Sequence, residues 1–379
     1  MRLRQKRLFG IVVRPGLEER LEILSEDSRF DLAGSCAKDP FGRGRKRGSF
    51  GRWVYPVVLP GGRRMSLFRT LLSNVCVNDC AYCPLRADED PRRVSLQPEE
   101  LARAFMSYWR RGLVQGLFLS SGVVKDPDTT MELLLRTARY LRRREGFRGY
   151  IHLKVIPGAS EAAVEEAARL ADALSVNLEA PDRKSFSRLS QKKCFEKMIR
   201  LTRYLSHLKA ELGFSQTTQL VVGAAGERDA EIIRTTEALY RKLKLNRVYF
   251  SAYQPGCGRP DLPGEELARR VDLRTREHRL YQVDFLLRKY GFSACEIPLR
   301  NGFLPLETDP KTAWAKTHPE FFPVDVNRAS YQELLRVPGI GPTIARRIIE
   351  ARKNGRLQDL SRLFPNQKLL AKASAYVVF

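Results

Sequence analysis

Between residues 65 and 295, short apolar runs alternate with longer amphipathic ones, and no other feature restricts the fold of this chain as tightly. Strand-like stretches fall at Leu67–Leu72, Leu117–Ser120, Tyr150–Ile156, Leu174–Leu178, Thr217–Val222 and Arg247–Ala252. Helix-like stretches follow them at Pro98–Arg110, Met131–Arg143, Glu161–Ala171, Ser185–Leu205, Ala230–Leu243 and Glu265–Tyr290. Pro98 with two glutamates behind it has the form of a helix start. Strands separated by helices pair in parallel through right-handed crossovers, so an α/β fold is expected. At 379 residues the chain has room for one large domain and one small one.

Directly after the first strand comes Cys76-Val-Asn-Asp-Cys80-Ala-Tyr-Cys83. A spacing of three residues, then two, lets one short loop wrap three thiolates around three irons of a cubane cluster. Structural zinc sites usually take four protein ligands, and a bacterial ferredoxin run brings a fourth cysteine close by. Here the next cysteine is Cys194. Three ligands on four irons leave one iron open to a substrate or cofactor. Chemistry at the ends of strands is where parallel barrels place it. The alternative is three thiols that cluster without a metal. With Tyr82 before the third cysteine, the segment resembles the signature of radical S-adenosylmethionine (SAM) enzymes. That resemblance implies a partial (β/α)6 barrel, a 4Fe-4S cluster on Cys76, Cys80 and Cys83, and SAM on the open iron.

The resemblance also implies where SAM would be held. Ser120, Ser121 and Gly122 stand where the superfamily commonly has a Gly-Gly-Glu-like segment touching the methionine amine, but the glutamate is absent. Lys154 is a candidate for the carboxylate, and Asn177 and Glu179 for the ribose hydroxyls, two residues apart so that both point to one face. Gln219, Val222 and Gly223 lie in a stretch that resembles the fifth-strand motif lining adenine. Four histidines, none in a metal-spaced pair, fit chemistry that follows the cofactor.

The charge indicates a polyanionic partner. Lys and Arg number 67 against 43 Asp and Glu, a net +24, which attracts nucleic acid. The basic Gly42–Arg52 run reads as a loop or arm along phosphates, or simply as solvated charge. Near the C-terminus, VPGIGP joins two short amphipathic helices and resembles the helix-hairpin-helix DNA-binding module. Val337, Gly339, Ile340, Gly341 and Thr343 would form its backbone anion site, with Arg346 and Arg347 adding charge. Such a grip reads backbone rather than sequence.

The expected domains are an N-terminal basic extension (1–64) packing on the barrel, the barrel (65–299), a linker (300–325), and a small all-α helix-hairpin-helix domain (326–379). No apolar run reaches the roughly 18 residues that span a bilayer, and seven cysteines without a pairing pattern speak for a reducing cytoplasm. The strings GLFLSSGVVKDPDTTME, GYIHLKVIPGA, LADALSVNLEAP, RVYFSAYQP and DPKTAWAKTHPEFFPVDVNRA resemble a family of DNA modification and repair radical SAM proteins. Its genes tend to sit beside a uracil-DNA-glycosylase-like partner. The resemblance implies DNA as substrate, a flavodoxin or ferredoxin as electron donor, and a family cysteine at Cys36, a candidate catalytic thiol. RNA modification is the alternative substrate class, and a non-catalytic iron–sulfur DNA-binding redox sensor the alternative function.

Overall fold

The computed structural model describes residues 7–8, 11–12, 15–31, 54–58 and 64–379. Cys36 and the Gly42–Arg52 run lie outside the described residues. The chain divides into two compact units, Met1–Glu227 with Lys242–Leu273, and Arg228–Arg241 with Arg274–Phe379.

The first unit is built on one seven-stranded sheet whose spatial order follows the chain: β1 Val54–Val58, β2 Arg64–Leu71, β3 Gly116–Ser120, β4 Tyr150–Lys154, β5 Ala173–Ser175, β6 Ser215–Val222 and β7 Arg247–Ala252. From β2 to β7 every pairing is parallel. The strand missed in the sequence is β1, which pairs antiparallel with β2. Pro56 cannot donate to a ladder, and it is accommodated because β1 is an edge.

Helices α1 Leu17–Asp27, α2 Pro98–Arg110, α3 Pro127–Arg139, α4 Glu161–Leu170, α5 Arg183–Leu189 and α6 Phe195–Leu212 follow in chain order. Their starts are chemically specified. Gln97 and Glu100 form a capping box on α2, and the Asp126 carboxylate accepts from the Thr129 N–H at 2.8 Å on α3. Leu117, Leu119, Ile151 and Leu153 are fully buried toward the helices. Phe105 packs edge-on against Phe68 at 5.9 Å and Phe147 at 5.0 Å. Alternation along each strand turns Ser120, Lys154 and Gln219 to the opposite face, where a cavity opens at the strand ends.

Two expected helices are broken. Ser185–Leu205 becomes α5 and α6, separated by Ser190–Cys194, because the carboxylate of Asp79 takes up the N–H groups of Gln191 and Lys192. Glu265–Tyr290 becomes α8 Pro263–Arg270 and α9 Leu273–Lys289, with Val271 extended (φ −130°) between them. A β-branched residue followed by Asp272 gives up the helix easily at that point.

The second unit contains α7 Asp229–Leu243 over its first thirteen residues, α9, α10 Pro310–Thr317, α11 Tyr331–Arg336, α12 Pro342–Ala351 and α13 Gln367–Ser374. A two-residue parallel pair, β8 Val324–Asp325 with β9 Val377–Val378, ties its end back. The 300–325 stretch is ordered, and α10 lies within it with Trp314 buried. Several ion pairs lie within this unit, and the most deeply buried joins α7 to α9. Arg276, 1% exposed, donates to Asp229 Oδ1 at 2.7 Å, and the Leu304 N–H donates to Oδ2 at 2.8 Å. Removing one member of a buried pair leaves the other charge uncompensated, at a cost of about 3–5 kcal/mol. Asp229→Ala is therefore expected to lose the second unit's cooperative transition at markedly lower urea, read by far-UV circular dichroism, and Phe105→Ala the first unit's.

Candidate functional site

The three-cysteine loop is pinned on both sides. Upstream, Leu72 N–H donates to Ser120 O at 2.8 Å and Gly122 N–H to Ser73 O at 2.8 Å, continuing the β2–β3 ladder past the strand ends. Val77 N–H then donates to Val123 O at 2.8 Å. Gly122 is required here: a Cβ on it would lie 2.4 Å from the Val75 carbonyl and 3.2 Å from Cys76 Cβ. Downstream, Ala81 N–H donates to Leu189 O at 2.7 Å, and the Ala81 carbonyl accepts the Arg259 N–H at 2.7 Å. Buried Arg86 spans from Cys83 O at 3.1 Å to Cys257 O at 3.2 Å.

Inside the loop, Asp79 accepts from the Ser190 hydroxyl at 2.5 Å and from the Gln191 and Lys192 amides at 2.9 and 3.2 Å. Burial pushes the Asp79 carboxyl up, but these donors outweigh it and hold its pKa below the ordinary value. The same contacts fix the segment that carries Lys193.

An open cavity of about 840 Å3 lies at the strand ends. It brings together Cys76, Cys80, Cys83 and Tyr82 from the loop, Ser120, Ser121 and Gly122 after β3, and Lys154 from β4. Asn177 and Glu179 after β5, and Gln219 from β6, line it as well. Lys193 also lines it, and sequence reasoning missed this residue. Only the break after α5 delivers it, and no spacing signal announces that break.

Glu179 occupies the left-handed region at φ +64°, uncommon for a residue with a side chain. The backbone holds it there: its N–H donates to Gln219 O at 2.9 Å and its carbonyl accepts from Val221 N–H at 2.8 Å. Between β5 and Glu179 the ladder is interrupted, and Thr218 replaces it. The Thr218 hydroxyl accepts from Leu178 N–H at 3.1 Å and donates to Val176 O at 2.7 Å. Asn177 Nδ2 reaches Glu179 Oε2 at 3.5 Å.

The electrostatics are those of a cation site. Burial pushes the Cys83 thiol up to about 12, and the neighbouring Cys80 adds to the rise. Burial likewise raises Cys80, against the pull of Lys193. The Lys193 ammonium is opposed by burial, but Cys80 and Glu179 more than offset that and place its pKa above the ordinary value. Tyr82 is raised by burial and by the Glu179 carboxylate its hydroxyl faces. Three thiolates can share this space only if positive charge is added, and a bound metal deprotonates its thiols outright. Among the described residues no three His, Cys, Asp or Glu side chains converge on a single-ion position. Three cysteine thiols lining one cavity are the donor set that a cubane bound through three irons takes, so the residues present fit it.

Two candidates fall elsewhere. Val222 is fully buried and Gly223 (φ +93°) turns the chain after β6, its N–H taken by Glu227. Neither lines the cavity. In the second unit, Val337 and Ile340 are core residues, 0% and 1% exposed, so only their backbone is available to a ligand. Gly339 (φ +87°) packs on α13, where a Cβ would meet Leu369 O at 2.6 Å, so its smallness serves packing rather than approach of a nucleic acid. The Lys311 amine, whose pKa burial holds well below the ordinary lysine value, donates to the Ile340 carbonyl and lies 4.7 Å from the Tyr290 ring centre, supporting the hairpin from within. Gly341 is half-buried, and Thr343, Arg346 and Arg347 are exposed on α12. Arg347 also donates to Leu363 O at 3.2 Å.

Because Gly122 has no room for a methyl, Gly122→Ala is expected to displace the Val75–Cys76 backbone. After anaerobic reconstitution it should retain less than about half the wild-type iron and sulfide, with the helical circular dichroism unchanged, since overpacking strain of about 1–3 kcal/mol is local.

Residues 70–239 match the family model described as the Radical SAM superfamily, and residues 321–373 that of the helix-hairpin-helix motif. A threonylcarbamoyladenosine tRNA methylthiotransferase of Thermotoga maritima is 24% identical over 215 residues, 55% of this chain and 49% of that protein. The chain thus spans about half the length of the curated relative it matches. Among solved structures, methylornithine synthase aligns over 58% of this chain and 61% of its own, at 15% identity and TM-score 0.47. The FeFe-hydrogenase maturase HydG aligns over 58% and 49%, at 14% identity and TM-score 0.46. No helix among the described residues is long and apolar enough to cross a membrane. The chain thus carries a region that matches the radical SAM superfamily model, together with a helix-hairpin-helix motif.

Proposed function

We propose that this chain is a radical SAM enzyme that modifies or repairs nucleic acid, with DNA as its first substrate. The observation that carries the reading is one chain with both a three-thiol cavity and a helix-hairpin-helix motif, at a net charge of +24. When bound, the cluster and SAM supply a 5′-deoxyadenosyl radical that removes hydrogen from an unactivated position.

The chain's own residues hold and orient. Cys76, Cys80 and Cys83 would ligate three irons, and the ammonium groups of Lys154 and Lys193 are the cavity's cations for a carboxylate. Asn177 and the strained Glu179 offer an amide and a carboxylate to ribose hydroxyls. Ser120 and Ser121 offer hydroxyls and carbonyls to an amine in place of the absent glutamate. The exposed α12 start, with Thr343 and Arg346, suits a phosphate and adds affinity without sequence preference.

RNA is the second reading, favoured by the tRNA-modifying relative. Competition among duplex DNA, single strands and structured RNA separates the two. A uracil-DNA-glycosylase-like partner and a flavodoxin or ferredoxin donor belong to the DNA reading. A co-purification with each tests them.

The deciding assay is anaerobic: reconstituted enzyme, dithionite and SAM, with 5′-deoxyadenosine quantified with and without DNA or RNA. Product that rises with DNA supports the proposal; no product despite an intact cluster favours a redox sensor. Cys80→Ala is expected to abolish product while leaving most of the strand affinity in place, because exposed α12 residues and not the buried Cys80 are the ones placed to meet phosphates. Arg346→Ala should weaken binding to all sequences alike and reduce the slope of log K against log salt by about 0.9, one phosphate contact on duplex DNA.

A further inference from the structure

We infer that a second pocket beside the cofactor cavity receives a single unpaired nucleobase, an assignment that rests on the nucleic-acid reading above and specifies where the substrate enters. The pocket, of about 330 Å3, shares Phe30, Tyr82 and Gln219 with the cofactor cavity, so its occupant lies next to the cofactor. Its remaining wall comes from the end of β7 and the turn beyond, with Ser251, Tyr253, Gln254 and Cys257.

The lining decides the ligand chemistry. None of its ten described residues is Asp, Glu, Lys, Arg or His. In a chain of net +24 that is a selective feature, because a pocket for a phosphate or carboxylate would hold a cation. Beside three small apolar side chains and the Cys257 thiol, the lining presents three aromatic rings, two carboxamides and the Ser251 hydroxyl. Rings offer stacking faces to a flat heterocycle, and a carboxamide both donates and accepts, matching the polar edge of a base. A base stacked in a duplex cannot reach such a pocket, so it must be flipped or come from a single strand.

The walls are fixed before any ligand arrives. Tyr253 N–H donates to Val222 O at 2.9 Å, and its hydroxyl donates to Glu265 at 2.5 Å. Gly258 admits no Cβ, which would lie 2.4 Å from the Tyr253 hydroxyl and 2.7 Å from Ala81 O. Arg86 bonds the carbonyls of both Cys83 and Cys257, tying the pocket's turn to the cluster loop.

The test uses the full chain, reconstituted and loaded with SAM, and short single strands, in DNA and RNA form, bearing either 2-aminopurine or pyrrolocytosine. Emission reports the environment of the one labelled base, and anisotropy of an end label reports binding of the strand. The wild type is expected to change the emission of at least one analogue on binding. Ser251→Trp, which fills the pocket, should lose that change, and Gln254→Ala, at an exposed position that does not threaten folding, should lose most of it, while both still bind the strand. Wild-type emission changes in both variants, or bound strands with no emission change in the wild type, would overturn the base pocket while leaving the nucleic-acid reading standing. Failure of the wild type to bind any strand would overturn that reading, and the pocket with it.

Discussion

A single carboxylate organises the cofactor site. Asp79 sits between the first two cluster cysteines and collects a hydroxyl and two amides from Ser190–Lys192. The two amides would otherwise be free to extend a helix from α5 into α6. By diverting them, Asp79 ends one helix and starts another, and the segment between them brings an ammonium group to the thiols. Hydrogen bonds to an ionised acceptor are among the stronger ones available to a protein, so a local loop contact can override the helical propensity of the surrounding sequence.

The charges that result are mutually dependent. Cys80, Cys83, Glu179 and Tyr82 each disfavour a second negative charge nearby, and Lys193 is the cation that moderates them. The strain at Glu179 belongs to the same balance. Its backbone is clamped by Gln219 and Val221, and the Thr218 hydroxyl bridges the interrupted ladder, so the carboxylate is placed by the sheet rather than by its own conformational preference.

Much of this was legible in the sequence, for identifiable reasons. Parallel strands buried on one face by helices leave apolar runs at a regular interval, and the cysteine spacing is a local property of one loop. Residues at strand ends, from Ser120 to Gln219, follow from period-two alternation once the strands are placed. What could not be read depends on contacts distant in sequence. Lys193 reaches the cavity through a bond network more than a hundred residues from its source at Asp79. Edge strand β1 is too short and proline-bearing to announce itself. Gly339 looked like a site of close ligand approach, yet α13 occupies the space beside it. Val222 ends β6 on the face opposite Gln219 and Gly223 turns the chain after it, so strand alternation does not bring either into the cavity.

The hydrogen bonds of the cysteine loop have a consequence for what lengths of chain it can tolerate. Backbone ties occur at residues 72, 77 and 81, and the Ser73 and Asn78 carbonyls accept from Gly122 and Ala87. No stretch of more than three consecutive residues between 72 and 81 is without such a tie, so the loop has no slack in which an inserted or deleted residue could be absorbed. Surface loops ordinarily accept such changes at small cost. Here one added residue would shift every later thiol out of phase with the strand end facing it. The spacing of the cysteines is thus enforced twice, by the geometry of the cluster and by the ladder that the loop continues.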